Sequence, residues 1–94
     1  MSKSQKTKKG KSTPFNVSQS IQSAHKNYQA GNFQQAETIC RNILKSHPNY
    51  ADAYYERAVT WYKIGILNMV CKDLDKAESL GYAKATEYKK TVCK

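Results

Sequence analysis

The sequence predicts an all-α fold built from antiparallel helical hairpins, on three observations. After residue 16, apolar residues recur at spacings of three and four, the period of one helix face. Glycines break those runs at Gly31 and Gly65, at matching places in the stretches YQAGNFQQAETIC and YKIGILNMVCKDL. The breaks are short, which restricts consecutive helices to antiparallel neighbours.

The opening segment, MSKSQKTKKGKSTPFN, is rich in Lys, Ser, Thr and Gly and offers almost nothing to bury, so residues 1–16 are expected to form a disordered basic tail. Pro14 marks its end, and Asn16 or Ser18 can cap the helix that follows. That first helix is predicted over about Ser18 to Ala30, with Ile21, Ala24 and Tyr28 on its inner face. Asn32, followed three residues later by Gln35, has the form of a capping box opening a second helix, whose stripe is Phe33, Ala36, Cys40, Ile43 and Leu44. Pro48 disfavours helical geometry in the residue before it, so this helix should end near Ser46. A third helix is predicted over about Ala51 to Ile64 with Tyr54, Tyr55, Ala58, Trp61 and Tyr62, and a fourth over about Asn68 to Ser79 with Val70, Cys71, Leu74 and Ala77 inward. Gly81 has the position of a left-handed cap, and a last helix is expected over about residues 83–93, with Ala85, Tyr88 and Val92. Glycine at these ends, rather than within helices, explains the interrupted runs, because only there does its backbone freedom cost nothing.

The formal charge of +9 is uneven. Five of the sixteen basic residues (Lys3, Lys6, Lys8, Lys9 and Lys11) lie in the tail without an acid, leaving eleven against seven acids, or +4, for the remainder. Basicity is thus mainly a property of the tail, which is suited to nucleic acid, a ribosome or another anionic surface through counterion release. No aromatic residue interleaves those lysines to add base stacking. Three cysteines, Cys40, Cys71 and Cys93, have no metal-ligand spacing, and no secretory or membrane-spanning run is present, so a reducing, cytoplasmic setting without membrane insertion is expected. Cys40 and Cys71 fall on packing faces and are expected to be core thiols, whereas Cys93 near the end is expected to be exposed. The Asn16-Val17-Ser18 sequon has no secretory context.

The shift that carries Gly31 onto Gly65 also superposes Ala24 on Ala58, Tyr28 on Tyr62, Ala36 on Val70, Cys40 on Leu74 and Ile43 on Ala77, with starts in step at Val17, Ala51 and Ala85. Two helices in every run of about 34 residues is the period of the tetratricopeptide repeat (TPR). The chain resembles a TPR protein through Ala24, Tyr28, Gly31, Ala36, Cys40, Ile43 and Pro48 in one copy and Tyr54, Ala58, Trp61, Tyr62, Gly65, Leu74 and Ala77 in the next. The resemblance implies a TPR domain over 17–94: repeat one at 17–50, repeat two at 51–84, and a final capping helix over about 83–93. Departures are Ser20 and Arg57 at usually apolar sites, Val70 at a usually small one, and Leu80-Gly81-Tyr82 in place of a turn ending in proline.

The family's first arms line a concave groove, and this implies a partner-binding surface of Ile21, His25, Tyr28, Tyr55, Glu56, Val59, Tyr62 and Lys89. Of the carboxylate-clamp positions of chaperone-binding members only Lys89 matches, and Glu56 would repel a carboxylate, so that ligand is not expected. With only two repeats and a cap, the outer face of the first helix and the patch of Ile66, Leu67 and Met69 are the candidate surfaces for self-association.

No pairing of nucleophile with base is discernible: His25 and His47 stand far apart, and Asp75 and Glu78 have the spacing of surface partners for Lys72 and nearby lysines. KKGKST carries only the end of a phosphate loop, without its first glycine. The expectation is a non-enzymatic module without cofactor or metal that binds a protein or peptide. The alternatives are a nucleic-acid or ribosome-associated protein acting through its tail, and an engineered or excised TPR fragment.

Overall fold

The computed structural model describes residues 16–93, which form five consecutive α-helices: α1 (Val17–Gln29), α2 (Phe33–Ser46), α3 (Ala51–Ile64), α4 (Leu67–Ser79) and α5 (Ala83–Val92). The expected basic tail and KKGKST lie outside the described residues, apart from Asn16. Each helix packs on the next in the chain, and α1 also reaches α3. The fold is all-α, with sequentially packed helices. Among the described residues, no helix is long and apolar enough to cross a membrane.

Local chemistry accounts for the helix ends. The Oδ1 of Asn16 accepts from the backbone N–H of Gln19 at 3.1 Å, capping α1. At the far ends of α1 and α3, Gly31 and Gly65 take φ of 85° and 97°, the left-handed region that glycine enters without a Cβ penalty. The residue after each glycine then bonds back five positions, Asn32 to the Asn27 carbonyl at 2.8 Å and Ile66 to the Trp61 carbonyl at 3.0 Å. The same bond closes α4, from Tyr82 to Ala77 at 3.1 Å. This satisfies carbonyls that would otherwise face solvent, and it turns the chain sharply.

One expectation about helix starts is corrected. The capping box at Asn32 does not form: its side-chain amide donates to Asn27 Oδ1 at 3.3 Å, toward α1, and makes no cap bond to α2. The last helix begins at Ala83, as expected, two residues before the Ala85 that stands in step with Val17 and Ala51, because the turn closed by Tyr82 is already complete there. By contrast, the step from Val17 to Ala51, where α1 and α3 start, equals the step from Phe33 to Leu67, where α2 and α4 start.

The core follows the same offset. Ala24 and Ala58, Cys40 and Leu74, and Ile43 and Ala77 are all fully buried, as are Ala36 and all but a trace of Val70. Alanine at the crossing points lets helix axes approach, while Ile43, Val70 and Leu74 fill the space beside them. Tyr54, Tyr55, Trp61, Tyr82, Tyr88 and Val92 close over the edge of this core.

Arg57, which occupies a position expected to be apolar, is explained by Asp73. The guanidinium donates from Nε to Oδ2 at 2.8 Å and from Nη2 to Oδ1 at 2.9 Å, and Trp61 Nε1 adds a third donor to Oδ2 at 3.0 Å. Asp73 is 4% exposed, so this fork is a buried link between α3 and α4. Arg57 also lies over the Tyr54 ring, 5.8 Å from its centroid, while the Tyr54 hydroxyl donates to the Pro48 carbonyl at 2.8 Å.

The cysteine reading is corrected in part. Cys40 is a buried free thiol as expected, and burial pushes its pKa up to about 12, with Glu56 adding to the shift. Cys71, however, is not a free core thiol. It is disulfide-bonded to Cys93, 22 residues on, where α4 and the end of α5 bring the Cα atoms within 5.9 Å. The bridge removes the support that unpaired cysteines gave to a reducing setting. At the α3–α4 turn, Ile64, Ile66 and Leu67 are exposed and Met69 is half-buried.

Replacing Arg57 with Met is expected to lower stability by about 3–5 kcal/mol, because it strands a buried carboxylate. Urea unfolding followed by circular dichroism measures this, and a loss under about 1 kcal/mol would show Asp73 to be open to water.

Candidate functional site

The helical period places Ile21, Gln22, His25, Lys26 and Gln29 along one side of α1. They face Asp52, Tyr55 and Glu56 of α3, and the floor is completed by Tyr82 and Lys84 at the start of α5. Together these residues enclose an open cleft of about 570 Å³. A second cleft of about 560 Å³ lies between Tyr55 and Ala83, Lys84, Glu87, Tyr88 and Thr91 of α5. Both clefts include Tyr55 and Lys84, so one surface runs across α1, α3 and α5.

Tyrosine dominates this surface. The Tyr55 ring lies 5.2 Å from Tyr82 and 5.9 Å from Tyr88, and Tyr62 meets Tyr88 edge-on at 6.0 Å. On α1, His25 stacks on Tyr28 at 5.9 Å, and Tyr28 in turn meets Phe33 at 5.9 Å. Such pairs hold rings in fixed orientation.

The polar groups are mostly matched within the protein. His25 Nδ1 donates to Glu56 Oε2 at 2.8 Å, joining α1 to α3, with the His25 side chain half exposed and Glu56 largely covered. The Glu56 carbonyl accepts from buried Thr60 Oγ1 at 2.9 Å. Burial pushes the Tyr82 and Tyr88 hydroxyls up to about 12; Asp52 adds to the first, and neighbouring tyrosines add to the second. Tyr55 and Tyr28 are raised for the same first reason, with Glu56 contributing. Among the described residues, Lys26 and Lys84 have no ion-pair partner, so they rim the cleft as available cations.

Of the residues singled out from sequence, Ile21, His25, Tyr55 and Glu56 line the first cleft, and Tyr28 backs it through His25. Tyr62 is 44% exposed beside Tyr88, whereas Val59 is buried and presents no groove surface. Lys89 turns toward α4 instead: its amine meets Asp75 at 2.8 Å and Glu78 at 2.7 Å, the two acids expected to pair with Lys72 and nearby lysines. The Lys89 pKa is raised by these two hydrogen bonds, and that of Glu78 is lowered, chiefly by Lys89. Sequence reasoning missed Asp52, Tyr82 and Lys84. Asp52 had a signal, four residues before Glu56 on one helix face; Tyr82 and Lys84 depend on where α5 starts. The chain gives no match to known protein families, curated proteins or solved structures.

The raised tyrosines set a pH dependence. An unfolded tyrosine ionises near 10.0, whereas Tyr82 and Tyr88 keep their protons to about 12 when folded. Above about pH 10 the unfolded chain therefore holds fewer protons than the folded one, so this stabilisation is complete below that pH and is lost toward 12. Urea midpoints at about pH 8, 10 and 11 are expected to fall over the last interval, and less steeply in a Tyr82→Phe/Tyr88→Phe variant; identical slopes would contradict the assignment.

Proposed function

We propose that this chain is a TPR-type, non-enzymatic interaction module that holds an extended peptide or a helix of another protein against α1, α3 and α5. The observation that carries this reading is the continuous tyrosine-lined surface on alternate helices, with Tyr55 at its centre. The shared offset of helix starts and buried positions supports the repeat assignment, with α5 as the final cap. Aromatic side chains suit such a task, because they give large contact area for little lost rotamer entropy. One departure from the family pattern fits as well, since Arg57 through its fork with Asp73 gives α3 and α4 a fixed register.

The polar arrangement favours holding over catalysis. Glu56 is already engaged by His25, and the buried Cys40 thiol is kept protonated, so neither is poised as base or nucleophile. The Glu56 charge opposes a chaperone-tail carboxylate at this position. We propose protein partners for this module rather than a membrane, since no described helix is long and apolar enough to span one.

A peptide-display selection against the full chain tests the proposal, with amide chemical-shift mapping of the selected peptide. The expected shifts centre on Tyr55, Tyr62, His25 and Lys84. A Tyr55→Ala/Tyr62→Ala variant that remains helical is expected to weaken binding at least ~30-fold, the loss of about 2 kcal/mol typical of an anchor. Removal of residues 1–15 is expected to leave affinity unchanged. Binding that survives the tyrosine variant but disappears with the tail, and that falls steeply with salt, would instead support the nucleic-acid or anionic-surface reading.

A further inference from the structure

We propose that the Cys71–Cys93 disulfide is a reversible redox site that docks α5 and thereby completes the tyrosine-lined surface, an inference that rests on the groove reading above. The helix it secures is weakly held otherwise. α5 has ten residues, fewer than a helix needs to persist alone; it packs mainly on α4 and meets α3 through the Tyr88 ring against Tyr55 and Tyr62. Only Ala85 is fully buried within it. Tyr88, Val92 and Cys93 rest on the edge of the core, and the Lys89 pairs with Asp75 and Glu78 are too open to water to hold the helix.

The bridge compensates at the right place. It ties Cys71, within α4, to Cys93 at the C-cap of α5, the end opposite Tyr82. Through α5 the surface receives Tyr82, Lys84 and Tyr88. Neither cysteine is fully buried, as thiol–disulfide exchange requires. A dithiol reductant attacks one sulfur and forms a mixed disulfide, releasing the other cysteine; its second thiol then displaces the first. Two electrons and two protons pass to Cys71 and Cys93, and the reductant becomes a disulfide. Oxidised glutathione reverses the exchange and leaves as two glutathione thiols. In a reducing compartment, disulfides of this kind are usually transient and redox-sensing.

Hydrogen-exchange mass spectrometry on the full chain tests the latch, comparing oxidised protein, protein in excess dithiothreitol, and a Cys71→Ser/Cys93→Ser variant. In the latter two, α5 amides are expected to exchange at least about tenfold faster, while α1 to α3 stay within about twofold. Equal protection of α5 in oxidised and reduced protein, or uniform loss across all five helices, overturns the proposal. The display-selected peptide, titrated into both states, is expected to bind at least about tenfold more weakly after reduction, and equal affinity overturns the gating. If no peptide binds the oxidised protein, the groove reading fails, while the exchange data still decide whether the bridge docks α5.

Discussion

Helices of ten to fourteen residues joined by turns of two to four bury their faces mainly against their immediate chain neighbours, and the rest of this structure follows from that constraint. Each turn has to redirect the chain at once: three of the four do so with a left-handed glycine and a five-residue backbone bond, and the α2–α3 turn with Pro48 instead. Each helix face then has to fit two neighbours in succession. Alanines at 24, 36, 53, 58, 77 and 85, all fully buried, leave room for that close approach. The core is thin and extended along the chain, so stability is distributed over local interfaces.

Helix α3 is where these demands converge. It packs on α1, α2 and α4, and Tyr55 carries its reach to α5. Its inner side is correspondingly polar as well as apolar: the Arg57 fork and Trp61 fix α4 through Asp73, and Glu56 fixes α1 through His25. An apolar contact tolerates sliding by a turn, but a bidentate ion pair does not. These polar links therefore set the register that lines up rings from alternate helices. The disulfide extends the same logic to α5, which has no following helix to pack upon among the described residues.

The helices were legible because their signals are local. The spacing of Ala24, Tyr28, Ala36 and Cys40, glycine at helix ends and Pro48 after α2 each act within a few residues. The groove was legible only in part, because it depends on contacts between distant segments. Ile21, His25, Tyr55 and Glu56 follow from helical phase, but Lys89 was claimed by Asp75 and Glu78 once α5 had settled on α4. Val59 shares a helix with groove residues, yet it lies at the buried edge, where a small change of helix rotation decides exposure. The pairing of Cys71 with Cys93 lay beyond sequence reasoning for the same reason: bridging needs a Cα separation that only the packed α4–α5 pair provides. Asn32 shows the converse, a local motif overruled by the stronger backbone closure of the preceding helix.

The central claim is that α1, α3 and α5 present one face, with Tyr55 as its midpoint. Nuclear Overhauser contacts among the tyrosine rings in solution test it most directly. Centroid distances of 5.2 Å from Tyr55 to Tyr82, 5.9 Å to Tyr88 and 6.0 Å from Tyr62 to Tyr88 require cross-peaks for all three pairs. Their presence, together with cross-peaks between His25 and Tyr28, is the expected result. A Tyr55 ring with contacts to α1 or α4 but none to Tyr82 or Tyr88 would contradict the shared face and the proposal built on it.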